Sequence, residues 1–184
     1  MAASHLRKAF CLLAAFVFSG CLSAARTLPS YAQVSAVIDG DTARLSNGRL
    51  VRYLGIDAPE THHKEGERWV EAFEPFSREA AAFNRDCVEG RSVRLEYDAE
   101  KTDDYGRLLV YVYVDGVMVN ERLLEEGLAK VLIIPPNGKY ERKFHALSDQ
   151  SRRQGKGLWS GTAKPPGAAS TAPSAPGKPG YAGN

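Results

Sequence analysis

The sequence predicts an α+β fold of mainly β structure, in which five short strands form a small closed barrel capped by about three helices. Two observations carry this prediction. Short runs rich in β-branched and aromatic residues are separated by turn signals, and one helix-like segment interrupts them after the third run. The 184 residues, 43% of them hydrophobic, are enough for one domain with its own core.

The five predicted strands share short length and either alternating or β-branched residues. They are residues 33–38 (QVSAVI), 42–45 (TARL), 49–56 (RLVRYLGI), 92–98 (SVRLEYD) and 107–114 (RLLVYVYV). The first three are separated only by DGD and SNG, which predicts a meander. The dipeptide Asp115-Gly116 predicts a tight turn after the fifth.

Three segments have the pattern of helices that end at glycine. They are residues 74–90 (EPFSREAAAFNRDCVEG), 120–127 (NERLLEEG) and 139–155 (KYERKFHALSDQSRRQG). Five strands with a helix after the third indicate the oligonucleotide/oligosaccharide-binding (OB) barrel, which binds ligands on one face beside its loops. An open α+β sheet fits the same pattern and is the alternative.

The first 25 residues have the build of a signal peptide. Arg7 and Lys8 precede a short apolar run that ends in small residues. Two endings compete: cleavage after Ala25, or lipidation of Cys21, because FSGC resembles a bacterial lipobox. We therefore expect an exported protein that is periplasmic, secreted or attached by lipid to the bacterial cell envelope.

Composition divides the rest of the chain into a folded domain over residues 26–160 and a tail over residues 161–184. The tail is rich in Pro, Gly, Ala and Ser, which predicts disorder. The whole chain has a formal net charge of +2, yet residues 26–134 contain 14 basic and 20 acidic residues. This charge balance excludes a protein that binds nucleic acid by bulk positive charge.

Charged residues collect at the predicted strand ends, in IDGDT (38–42), RYLGIDAPE (52–60) and TDDYGR (102–107). Each segment has a simpler explanation as a turn or a solvated loop. Arg52 is harder to explain in this way, because it lies within an apolar strand where an unpaired guanidinium would cost several kcal/mol. It must meet an anion, which is either a structural carboxylate or a ligand.

The residue types in these segments match the needs of phosphodiester cleavage. That reaction requires positive charge at the non-bridging oxygens, paired donors for the phosphate and a carboxylate that prepares water. Asp41 and Asp57 suit Ca²⁺, which prefers oxygen ligands. Arg52 and Arg107 present paired N–H donors to a phosphate. Glu60 is the candidate that orients or deprotonates the water.

The motifs IDGDT, RYLGIDAPET, EAAAF, TDDYGR, VNERLLEEGLAKV and GLW together resemble the staphylococcal nuclease (thermonuclease) family. The similarity runs from about Val34 to Trp159. It implies an OB barrel and a Ca²⁺-dependent endonuclease that acts on DNA and RNA, largely without sequence preference, and leaves 3′-phosphates. We expect a monomer.

The resemblance also assigns roles, position by position. It implies metal ligands at Asp41, Asp57 and the Ala58 carbonyl, phosphate binding by Arg52 and Arg107, catalysis by Glu60, and a nucleotide contact at Tyr105. This chain departs from the family's best-known members at two positions. Asp104 replaces a basic residue, and Ile133 lies at about the position of a tyrosine that stacks on the base. Both changes predict weaker substrate binding with the chemistry unaffected.

Two alternatives remain open from the sequence. The segment over residues 61–74 is longer than the family pattern and is expected to be a solvated loop, or else to supply replacement contacts to substrate. Barrels of this family also occur as non-catalytic nucleic-acid-binding modules that have lost active residues. Because Arg52, Glu60 and Arg107 are all present, the enzyme is the preferred hypothesis.

Overall fold

The computed structural model describes residues 28–65, 68–71 and 73–161. The strands of this part of the chain are, in order, β1 Tyr31–Val37, β2 Thr42–Leu45, β3 Leu50–Tyr53, β4 Ile56–Asp57, β5 His62–Glu65, β6 Arg68–Glu71, β7 Ser92–Glu96, β8 Leu108–Val114, β9 Val117–Met118 and β10 Lys130–Val131. The helices are α1 Ser77–Val88, α2 Val119–Glu125 and α3 Glu141–Arg153, followed by a 3₁₀ turn at Gly157–Trp159. The predicted leader and nearly all of the predicted tail lie outside the described residues.

Five strands close into a barrel, as the sequence predicts. β1, β2 and β3 form an antiparallel meander, and β7 joins β1 and β8 by antiparallel pairing. The barrel closes where β3 pairs in parallel with β8, with Val51 opposite Leu108 and Tyr53 opposite Val110. This last pairing excludes the open-sheet alternative and confirms the OB-type architecture.

The predicted third strand is wrong in one respect, because it is two strands. β3 ends at Tyr53, and a turn at Leu54 and Gly55 separates it from β4, which pairs with β10 instead of with the barrel. Gly55 has φ 76°, and a side chain there would lie 2.6 Å from the ring of Phe144. Only glycine therefore fits the break between the two strands.

The segment expected to be a solvated loop contains a β-hairpin. β5 and β6 pair antiparallel, with the backbone of residue 62 opposite residue 71 and that of residue 65 opposite residue 68. The sequence pattern missed it because the segment is strongly charged and its strands are not separated by Asn-Gly or Asp-Gly, the strongest hairpin signals. The turn predicted at Asp115-Gly116 is confirmed, since both residues have positive φ and connect β8 to β9.

The core fills the barrel and continues beneath the helices. Its largest fully buried side chains include Tyr53, Tyr111 and Phe144. The rings of Tyr111 and Phe144 meet edge to face at 6.0 Å, which joins α3 to the barrel wall. Among the helices of the described residues, none combines the length and the apolar character that crossing a bilayer requires.

Candidate active site

Arg52 lies where the barrel closes, and the register explains its position. It pairs with Thr42 on β2 and with Leu109 on β8, so its backbone is held from both sides. Its side chain is only 14% exposed. Nη1 donates to Oδ1 of Asp41, and Nη2 donates to Oδ1 of Asp57 at 2.7 Å. The anions that Arg52 requires are therefore two of the predicted metal ligands.

Asp41 is completely buried, and each of its oxygens accepts hydrogen bonds. Oδ2 accepts from the backbone N–H of Ala58 at 2.7 Å, and Oδ1 accepts from the Thr42 hydroxyl at 3.2 Å in addition to Arg52. The contact of Ala58 with this cluster is thus made by its N–H, and the role predicted for its carbonyl stays a prediction. Asp57 differs, because its side chain is 48% exposed and reaches solvent.

The turn that carries Asp41 is packed tightly against α1. A Cβ atom at Gly40 would lie 2.5 Å from the Cβ of Ala58 and 2.8 Å from that of Ala80, so no side chain fits there. Asp39 stabilises the turn, since its Oδ1 accepts the backbone N–H of Asp41 at 3.0 Å. The absence of a side chain at residue 40 lets the carboxylate turn lie directly between α1 and β4.

Asn84 is a buried residue of this site that sequence reasoning missed. It lies on α1, and its Nδ2 donates to the carbonyl of Asp39 at 3.0 Å. Its Oδ1 accepts the hydroxyl of Tyr53, the neighbour of Arg52, at 2.9 Å. One amide therefore connects the turn of Asp41 to the strand of Arg52. The sequence contained one signal that could have identified Asn84, namely an asparagine on the apolar face of a predicted helix.

Arg107 is positioned by its own loop. Its Nε donates to Oδ2 of Asp103 at 2.6 Å, while Oδ1 of Asp103 accepts the backbone N–H groups of Tyr105 and Arg107 at 3.0 and 2.9 Å. Asp103 thus organises the loop and orients the arginine, a role that sequence reasoning did not assign. Tyr105 is 87% exposed, and its ring centre lies 5.6 Å from the Arg107 guanidinium carbon.

Arg52 and Arg107 line one cleft of about 370 Å³. Its other walls are polar residues of the β7–β8 loop together with aliphatic side chains that include Leu109, Leu132 and Ile134. The structure therefore brings together two arginines that are 55 positions apart in the chain. Ile133, where the stacking tyrosine was expected, is not among the lining residues, although both of its neighbours are.

Glu60 follows β4 in an exposed position, and it is not among the residues lining this cleft. Partial burial raises the pKa of its carboxyl group, the carboxylates of Asp39, Asp57 and Glu74 raise it further, and Arg52 opposes them. Its backbone is held by Glu74, whose N–H donates to the Glu60 carbonyl at 3.2 Å. Glu60 thus lies within the electrostatic field of the Arg52 cluster, at its solvent side.

The carboxylate oxygens of Asp41 and Asp57 are of the type that a hard divalent cation prefers. In this structure both carboxylates are bound to the Arg52 guanidinium, through different nitrogens. Burial raises the pKa of the neighbouring Asp39 carboxyl, which indicates a low-dielectric environment. No group of three or more His, Cys, Asp or Glu with metal-binding geometry is present among the described residues, so water would complete the coordination of such an ion.

Comparison with known proteins gives a consistent result. A model of the family described as staphylococcal nuclease homologue matches residues 50–161, a range that begins after Asp41 and includes Arg52 and Arg107. The thermonuclease of Staphylococcus hyicus is 35% identical over 131 residues, which cover 70% of this chain and 75% of that protein.

Two endonucleases of Bacillus subtilis (strain 168) are also similar. The SPbeta prophage-derived endonuclease YokF is 39% identical over 128 residues, covering 67% of this chain and 42% of the relative. Endonuclease YncB is 39% identical over 128 residues, covering 67% of this chain and 58% of the relative. The chain thus spans less than two thirds of either Bacillus protein. With the barrel, the arginine cleft and a match over more than half of its length, the chain belongs to the staphylococcal nuclease family.

Proposed function

We propose that the chain is a Ca²⁺-dependent endonuclease that hydrolyses phosphodiester bonds of DNA and RNA and leaves 3′-phosphate products. One observation carries the proposal: Arg52 and Arg107 line one cleft, while Asp41 and Asp57 converge on the Arg52 guanidinium. The relatives named endonuclease and thermonuclease support the same class of substrate.

The arginines bind the phosphate in this proposal. Asp103 takes Nε of Arg107, so the terminal nitrogens of that guanidinium remain for an anion in the cleft. Arg52 donates to two carboxylates, which keep its guanidinium in place before substrate enters. Paired N–H donors match the oxygens of a phosphate, and their charge stabilises the additional negative charge of the transition state.

Asp41, Asp57 and the Ala58 carbonyl are the groups that would hold the ion. Bound there, Ca²⁺ would supply positive charge to the non-bridging oxygens. Burial of Asp41 and its contacts with Thr42 and Ala58 keep one ligand rigid, whereas the exposed Asp57 stays adjustable. Ca²⁺ accepts this combination because its coordination is flexible.

We assign to Glu60 the role of activating the attacking water. A general base needs a carboxylate that is accessible and more basic than a free one. Glu60 is exposed, and its raised pKa has the required direction.

We also propose that the protein acts outside the cytoplasm, because residues 1–25 have the pattern of an export signal. Lipidation at Cys21 and cleavage after Ala25 are distinguished by Cys21→Ser in the host cell. Lipidation predicts that this variant moves from the membrane to the soluble fraction. An unchanged distribution would favour cleavage after Ala25.

The decisive experiment for the proposed function is digestion of plasmid DNA and of single-stranded RNA by the purified chain with added Ca²⁺ or with a calcium chelator. We expect degradation only with Ca²⁺, and products whose 5′-hydroxyl accepts label directly from polynucleotide kinase. Arg107→Gln should abolish the degradation. Arg44→Gln, which changes an exposed arginine on β2, is the matched control.

Two outcomes would contradict the proposal. Binding of the oligonucleotide without cleavage under any divalent cation would assign the chain to the non-catalytic modules. Cleavage that persists in the chelator would remove the metal from the reaction and leave Asp41 and Asp57 as structural partners of Arg52.

A further inference from the structure

The cleft beside the arginines has an unusual charge for a site that receives a polyanion. Glu100, Asp103 and Asp104 line it together with Arg52 and Arg107, so carboxylates outnumber guanidinium groups. Electrostatic sites for phosphates ordinarily have the opposite balance. The excess of negative charge is therefore a property of the cleft that phosphate binding does not explain.

The charges of the cleft are not all equivalent, because some are already paired. Asp103 is bound to Arg107 at 2.6 Å, and Arg52 is bound to carboxylates outside the cleft. Glu100 and Asp104 are exposed, and neither forms an ion pair within the part of the chain that the structure describes. We refer to these two residues as the acidic rim.

Neither basic residue of the same loop pairs with the acidic rim. Arg107 is bound to Asp103. The Nζ of Lys101 donates to the carbonyl of Asp98 at 2.8 Å and lies 5.9 Å from the ring centre of Tyr97, and Lys101 is not among the residues that line the cleft. The rim thus presents two carboxylates without an ion-pair partner among the described residues to a cavity that aliphatic side chains also line.

The cavity and its walls determine what can lie in it. About 370 Å³ accommodates one nucleoside attached to the phosphate that the arginines hold, and Leu109, Leu132 and Ile134 provide apolar contact for it. A second phosphate on this nucleoside would share the cavity with Glu100 and Asp104, which also line it. Because like charges repel, the rim disfavours that second phosphate, and it does so most for a terminal monoester, which carries up to two negative charges.

We propose that the acidic rim of Glu100 and Asp104 is a specificity determinant that makes the cleft prefer a strand end with a free hydroxyl over an end with a terminal phosphate. The inference rests on the proposed function, since it takes an oligonucleotide as the ligand. It predicts an order of affinity for the cleft: a hydroxyl end first, an internal diester next and a phosphorylated end last.

The test measures binding of three short single-stranded oligonucleotides of one sequence, with hydroxyls at both ends, with a 5′-phosphate or with a 3′-phosphate. Fluorescence anisotropy is recorded in Ca²⁺ at short times on the Glu60→Gln background, which should slow cleavage by about 10²-fold, and the length of the oligonucleotide is checked afterwards on a gel. One of the two phosphorylated oligonucleotides should bind roughly threefold to tenfold more weakly than the unphosphorylated one. The end that is affected reports which end of the strand enters the cleft.

Variants of the rim make the test specific. Asp104→Asn should reduce the discrimination, Glu100→Gln with Asp104→Asn should remove it, and Asp104→Lys should reverse it. Asp86→Asn is the matched control, because it removes an exposed carboxylate on α1 and should leave the discrimination unchanged.

Three results would overturn the inference, and they are distinguishable from failure of the proposed function. Equal affinity of all three oligonucleotides would mean that the rim does not sense terminal charge. A phosphorylated end that binds more tightly as Ca²⁺ increases would mean that the rim holds a cation. Discrimination that survives in the double variant would place it elsewhere. Failure of every oligonucleotide to bind would instead contradict the proposed function.

Discussion

Two clusters in this molecule both pair carboxylates with cationic side chains, but one has an excess of negative charge and the other an excess of positive charge. Around Arg52, one guanidinium is shared by the carboxylates of Asp41 and Asp57, so negative charge exceeds positive charge. Around Glu96 on β7, one carboxylate is shared by Arg94 and Lys139, at 3.1 and 2.8 Å, so positive charge exceeds negative charge. Counting these residues alone, the first cluster carries one net negative charge and the second carries one net positive charge.

The pKa values of the carboxyl groups also differ between the two clusters. Burial by itself would raise the pKa of Glu96, but hydrogen bonds from Lys139, Tyr140 and Arg94 outweigh it and lower the pKa to about 2. Burial raises the pKa of Asp39 and that of Glu60 in the Arg52 cluster. Glu96 is thus stabilised in its charged form, whereas burial disfavours the charged forms of Asp39 and Glu60 near Arg52.

Replacing Arg52, the cationic residue of the first cluster, should have the largest effect. Arg52→Gln leaves Asp41 buried without its partner, which costs about 3 to 5 kcal/mol of unfolding free energy, and it removes a phosphate ligand. We expect loss of detectable turnover and a lower urea midpoint. Arg44→Gln is the control, and a variant as stable as that control would show that Arg52 does not neutralise Asp41.

The two carboxylate roles predicted within that cluster separate by kinetics. Glu60→Gln should lower turnover by about 10²-fold at saturating Ca²⁺ with calcium affinity close to normal, as loss of a general base does. Asp57→Asn should instead raise the Ca²⁺ concentration that half-saturates activity, because it removes an anionic ligand. Calorimetry of Ca²⁺ binding beside turnover measures both quantities. If Glu60→Gln lost calcium affinity and kept its rate, Glu60 would be a ligand.

Asn84 tests whether the packing of α1 positions the metal carboxylates. Asn84→Ala leaves the Asp39 carbonyl and the Tyr53 hydroxyl without their partner, which should cost about 2 kcal/mol of unfolding free energy. Because the Asp39 carbonyl belongs to the turn of Asp41, calcium affinity should also fall severalfold. Tyr53→Phe removes only the strand contact and is the control. A destabilised Asn84→Ala protein with normal calcium affinity would restrict Asn84 to the fold.

The second cluster should affect stability alone, and its contribution should be present at neutral pH and disappear in acid. The folded pKa of Glu96, about 2, lies below its ordinary value of 4.5, so its contribution is complete above pH 4.5 and is lost as the pH falls towards 2. We expect unfolding free energy to decrease by about 2 kcal/mol over this range through this group. Urea titrations of Glu96→Gln should show a flatter dependence there, while Glu125→Gln retains the wild-type slope. An unchanged slope in Glu96→Gln would contradict the comparison.

The sequence predicted most of the fold because its signals are local. Turn residues such as Asp115-Gly116 and glycines beyond helix ends follow from backbone conformation, and the structure confirms them. The predictions that are wrong fall where local pattern and packing disagree. The predicted strand is interrupted at Gly55, which has a positive φ, and the ring of Phe144, 89 residues away, leaves no space for a side chain there. The hairpin of β5 and β6 was missed because it lies in a charged segment without Asn-Gly or Asp-Gly between its strands.

The residues of the candidate site also fall into two groups, those that the sequence indicated and those that only the packing placed there. Residue type and position at strand ends indicated Arg52, Asp41, Asp57, Glu60 and Arg107 before any contact was known. The supporting residues were missed because an asparagine on a helix or an aspartate in a loop has many ordinary uses. Asn84 and Asp103 acquire their roles from hydrogen bonds to partners placed by the fold.

By itself, the sequence determined the fold class, the order of the elements and the types of side chain at the strand ends. Periodicity, turn signals and charge are local properties of the chain, so they can be recognised without the structure. Only the tertiary structure decided that β3 closes on β8, that Arg52 bridges two aspartates, and that Arg52 and Arg107 meet at a cleft with an acidic rim. The physical reason is that these features are contacts between different elements of the fold, some of them between residues remote in sequence. Such contacts are set by the packing of the whole barrel, and no local pattern encodes them.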